Sequence, residues 1–130
     1  MVSDARPLGK VEVLVAEGGN GPASGLGERL ADLGCFVLPA AVSAADALAL
    51  LDTFRPDAVL LGARLPGGPA VVAAALDAAD VPFALVTVLG GHEPNDPVLR
   101  AAPRLGRLSG RAELRRVLLR LTGQHPQRLP

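Results

Sequence analysis

Short apolar runs alternate repeatedly along this chain with stretches whose apolar residues recur at helical spacing, and that alternation narrows the fold more than any other feature. It is the pattern of a parallel sheet with crossover helices. Val11 to Val15, followed by Ala16, reads as the first strand, and Leu26, Leu30 and Leu33 place one face of a first helix that Gly34 closes. Cys35 to Leu38 forms a second strand, stopped by Pro39. Ser43 opens the second helix with Asp46 three residues on, a short-armed form of the capping box, and Ala47, Leu48, Leu51 and Phe54 give that helix its buried stripe. The third strand is Ala58 to Leu61, the third helix runs from about Pro69 to Ala79, and "VPFALVTV" is the fourth strand. A short helix near Pro97 to Ala102 and a fifth strand near Arg104 to Arg107 follow. Leu114, Val117, Leu118 and Leu121 then repeat at the spacing of a core-facing stripe. These assignments give one domain over 11–122, an N-terminal extension over 1–10 and a tail over 123–130.

Such a domain is large enough to bury a core without disulfide staples. Hydrophobic residues make up 49% of the chain and aromatics 2%, so the core must be packed from Ala, Val and Leu. Thirteen basic residues balance thirteen acidic ones, which argues against a dedicated nucleic-acid or membrane-surface protein. The balance is uneven along the chain: from Arg104 onward there are seven arginines and one acid, Glu113. The single cysteine, Cys35, excludes a disulfide within the chain, and no apolar run has the length of a signal peptide or membrane span. A cytoplasmic location is the expectation.

The segment "RPDAVLLGARLPGG" carries the central question. A buried strand there runs into Gly62, at the edge where parallel strands present their chemistry. Together with "VLVAE", "VPFALVT" and the final amphipathic helix, it resembles the receiver domain of two-component response regulators, which commonly read close to RPDLVLLDVRLPGG. The resemblance covers roughly Val11 to Leu121. It implies a flavodoxin-like, doubly wound five-stranded parallel sheet in the order 2-1-3-4-5, with helices on both faces. It also implies a phosphorylation site, which this chain holds only in part. Glu17 keeps one acid of the metal-binding pair, whereas Gly18 stands at the second. Gly62 occupies the phosphoacceptor position and Thr87 that of the switch hydroxyl. Arg107 stands where a lysine is usual, and Leu108 where the following proline is.

The chemical consequence is independent of the family. With no carboxylate at position 62 an acyl phosphate cannot form there, and Asp57 lies at the opposite end of the same strand. One remaining acid beside Arg107 and Arg64 makes a poor site for Mg²⁺, so metal binding is expected to be lost or very weak. The resemblance therefore implies a degenerate pseudo-receiver: no enzyme, no cofactor, and a role in signal transduction through protein contact. With nine residues after Leu121, a stand-alone module is expected.

Other readings are weaker. "EGGNGPASG" invites an anion at the Gly-rich loop, the basis of an alternative function as a nucleotide-binding or anion-binding flavodoxin-like domain. Gly19, Gly21 and Ser24 nevertheless match neither a P-loop nor a dinucleotide fingerprint, and "CFVLPA" lacks the acid that would hold a ribose. Glu17 and Arg107 could pair in place of the metal and phosphate, or stand solvated. His92 and His125 have no partners at metal-ligand spacing. Arg104, Arg111, Arg115 and Leu119 outline a candidate surface for a protein partner or a homodimer, on the face that receivers commonly use for docking. A solvated helix face is the competing account, and without aromatic platforms nucleic acid is not the expected ligand.

Overall fold

The computed structural model describes residues 9–18, 25–88 and 93–123. The extension over 1–8, the Gly-rich loop over 19–24, His92, and the tail over 124–130 with His125 lie outside the described residues. Five strands form one parallel sheet in the order β2-β1-β3-β4-β5, as the resemblance implied. They are β1 (Glu12–Ala16), β2 (Phe36–Val37), β3 (Ala58–Gly62), β4 (Phe83–Thr87) and β5 (Arg104–Gly106). The helices between them are α1 (Leu26–Asp32), α2 (Ala44–Thr53), α3 (Pro69–Ala78), α4 (Pro97–Ala101) and α5 (Arg111–Thr122).

Alternation along each central strand divides the interior in two. Val13, Val15, Leu60, Ala84 and Val86 face Leu26, Leu30, Leu114 and Leu118 of α1 and α5. Leu14, Val59, Leu61 and Leu85 face Ala47, Val72, Leu76 and Leu99 of α2, α3 and α4. β3 is buried along its whole length, which is why its sequence shows no polar alternation. A fully buried leucine contributes roughly 1.5–3 kcal/mol, and the many small aliphatic contacts of these two layers substitute for the missing aromatic bulk.

Local signals agree with the elements. The Ser43 hydroxyl accepts from the Asp46 N–H at 3.1 Å, and the short Asp46 carboxylate reaches the Val42 N–H at 3.3 Å, one residue before the cap. The Asp96 carboxylate accepts from the N–H groups of Val98 and Leu99, capping α4. Leu48, Leu51 and Phe54 are only half-buried, since α2 lies along the rim of its layer.

One expectation fails on α5. Leu119, placed on a partner-binding surface, is 4% exposed and joins the cluster of Leu26 and Leu30. α5 packs against α1 as well as against the sheet, so its buried arc is wider than a single stripe. Leu121, expected on the stripe, is half-buried near the helix end.

Candidate functional site

Register brings the strand ends together. Ala16 pairs with Leu61, Gly62 with Val86, and Thr87 with Gly106, so Glu17, Gly62, Thr87 and Arg107 arrive at one edge of the sheet. A cleft of about 400 Å³ opens there, bounded by Glu17, Gly18, Gly62, Arg64, Val86 and Arg107. Thr87 does not line it. Its neighbours are Val88, Gly106, Leu108 and Ser109 in an adjoining cavity, and its carbonyl accepts from the Arg107 N–H at 2.9 Å.

The cleft holds an ion pair. Glu17 Oε2 lies 3.3 Å from Arg107 Nε, with the glutamate side chain 9% exposed and the arginine 31% exposed. The backbone N–H of Glu17 donates to the Ala41 carbonyl at 3.0 Å, fixing the base of the side chain. Its second oxygen, Oε1, is buried with no hydrogen-bond partner. A buried carboxylate with one unsatisfied oxygen is costly, and the Arg107 guanidinium beside it offsets part of that cost through an ion-pair contact that lacks hydrogen-bond geometry. Arg107 is held through its backbone as well: Arg29 Nη2 donates to its carbonyl at 2.9 Å. α1, β1, β4 and the loop after β5 therefore meet at one residue.

The two glycines of the site are crowded to different degrees. A Cβ at position 62 would lie 3.0 Å from Glu17 Cγ and 3.2 Å from the Ala16 carbonyl oxygen. A Cβ at position 18 would lie 2.0 Å from Pro66 Cδ, an impossible contact unless the proline moves. Pro66 thus occupies the space beside Gly18, whereas at Gly62 the Glu17 side chain and the Ala16 carbonyl need give only by a few tenths of an ångström to admit a Cβ. Pro66 was not visible as a site residue in the sequence, although it sits in the "RLPGG" loop that carried the resemblance.

Among the described residues no three His, Cys, Asp or Glu side chains come together as metal ligands. A lone carboxylate engaged by a guanidinium does not match the oxygen-rich octahedron of Mg²⁺. Asp57 is at the far end of β3, where its carboxylate accepts from the Glu12 N–H at 2.8 Å.

The arginines of the candidate surface separate. Arg111 pairs with Asp32 at 2.7 Å, Arg104 with Glu93 at 2.6 Å, and Arg115 is exposed. Arg116 pairs with Glu113 within α5. These are exposed pairs, each contributing about 1 kcal/mol or less. Leu108, directly after Arg107, is 84% exposed.

No family model matches the sequence, and no curated protein matches it. Solved structures do. The receiver domain of the sensor histidine kinase PA1611 from Pseudomonas aeruginosa PAO1 is 25% identical, with a TM-score of 0.71 over 88% of this chain and 98% of that one. That domain has a magnesium ion coordinated in its active-site cleft. SdrG from Sphingomonas melonis Fr1 is 28% identical, with a TM-score of 0.74 over 87% of this chain and 97% of that one. A signal receiver domain of a histidine kinase from Syntrophus aciditrophicus, 21% identical, adds a likeness of fold alone, with a TM-score of 0.70 over 92% and 95% of the two chains. The chain has the receiver-domain fold and resembles response-regulator receivers. Among the described residues no helix is long and apolar enough to cross a membrane.

Proposed function

We propose that this chain is an atypical receiver module that acts in signal transduction by protein contact, without accepting a phosphoryl group and without catalytic turnover. One observation carries the reading: Gly62 stands at the acceptor position, and the side chain of Glu17 packs against the space where its Cβ would be, with its carboxylate on Arg107. The likeness to receiver domains supports a signalling role. Mg²⁺ binding is lost or very weak on this reading, since Glu17 is the one carboxylate lining the cleft among the described residues and one of its oxygens faces Arg107.

A partner, or a second copy of the chain, would dock on the surface that runs from β5 to the first turns of α5. Exposed Leu108 offers an apolar anchor there, Arg115 supplies an exposed positive charge, and Arg104 and Arg111 would have to exchange Glu93 and Asp32 for carboxylates of the partner. An acidic partner surface is the matching chemistry.

The test is an amide NMR titration with Mg²⁺ and beryllofluoride, a phosphoryl mimic. Resonances of Glu17, Gly62 and Thr87 should stay in place. Saturable shifts at those residues would show that the cleft still binds the metal and anion, and the reading would be lost.

A further inference from the structure

At the opposite edge of the sheet, below the N-terminal ends of β4 and β5, a groove of about 720 Å³ separates α3 from α4. Leu76, Val81, Phe83 and Val98 make it apolar. Asp77 and Asp80 stand exposed on one rim. Neither carboxylate has an ion-pair partner among the described residues.

Both lie at the C-terminal end of α3, whose own last turn has no basic residue; the Arg55 guanidinium meets that end instead, donating to the Ala79 carbonyl at 3.0 Å. Asp80 also has φ 58, the one positive φ outside glycine among the described residues. Helices commonly place glycine at this position because it carries no Cβ penalty. Aspartate is one of the few other residues that adopt this conformation readily, so Asp80 closes α3 while leaving its carboxylate exposed on the rim.

We propose that this groove docks a short basic and aliphatic segment of a protein partner. An arginine or lysine of the segment meets Asp77 and Asp80, and a neighbouring leucine-like side chain enters between Phe83 and Val98. Charge complementarity selects this occupant: an acidic segment is repelled from the rim, and a purely apolar one leaves both carboxylates unpaired. The surface is separate from Glu17 and from the α5 arginines, so it stands or falls independently of the role given to those residues.

The test uses the full chain, isotope-labelled, titrated with the capped hexapeptide Ala-Leu-Arg-Arg-Leu-Ala. Saturable amide shifts are expected at Asp77, Asp80, Val81, Phe83 and Ala102, weakening with added salt. The same peptide with glutamates for its arginines should give none. Asp80→Gly, which relaxes the backbone and so keeps the fold, should bind about fivefold more weakly, as should Asp77→Asn. Absence of shifts at the groove, equal shifts with the glutamate peptide, or undiminished binding in both variants would overturn the proposal.

Discussion

Glu17 Oε2 and Arg107 Nε lie 3.3 Å apart, joining the end of β1 to the loop after β5 across the cleft. Removing one partner strands the other. Arg107→Leu leaves a mostly buried carboxylate unpaired and is expected to destabilise by about 1–3 kcal/mol, less than for a fully buried pair because the arginine is partly exposed. The double variant Glu17→Leu/Arg107→Leu should recover most of that loss. Urea denaturation of the four proteins of the cycle measures it, and a double variant no more stable than Arg107→Leu would contradict the pairing.

Position 18 should be coupled to position 66. Gly18→Ala forces its new methyl into Pro66 and is expected to lower stability by about 1–3 kcal/mol. In a Pro66→Ala background the same change should cost much less. Equal costs in the two backgrounds would mean that Pro66 is not what closes the site.

Leu119→Ala is expected to lose about 2–5 kcal/mol, because it leaves a cavity between α5 and α1. A residue on a solvent-facing docking surface would lose almost nothing. Thermal or urea unfolding separates the two outcomes.

Burial pushes the Cys35 thiol above its ordinary value of 9.0. Above that pH the unfolded chain releases a proton that the folded chain still holds, so unfolding is favoured. The contribution of the neutral thiol is complete below 9.0 and is lost as pH rises through the folded value. Stability should therefore fall more steeply between about pH 8 and about pH 10 in the parent protein than in Cys35→Ala. Parallel slopes would contradict the burial effect.

Much of this was legible in the residues themselves. The apolar runs located four strands, Leu105 alone marked the fifth, and Ser43 and Asp46 marked the start of α2. Periodicity within one helix could not show that α5 also packs against α1, so Leu119 was placed on the wrong side of the surface. Nor could the sequence show that Pro66 occupies the space beside Gly18. Both are contacts between segments distant in the chain, and neither leaves a mark on local spacing. The Glu17 and Arg107 pair was one of two readings until the register of β1, β3, β4 and β5 set the two residues side by side.

The crowding also makes the two positions unequal targets for change. Any side chain introduced at position 18 first meets the Pro66 ring, so its effect on the cleft cannot be separated from a movement of the proline. At position 62 an added Cβ meets the Glu17 side chain at 3.0 Å and the Ala16 carbonyl oxygen at 3.2 Å, and a shift of the Glu17 side chain would carry its carboxylate relative to Arg107. One position is locked by a ring and the other latched by a side chain, so the cleft reports substitutions at 18 through its loop and substitutions at 62 through its ion pair.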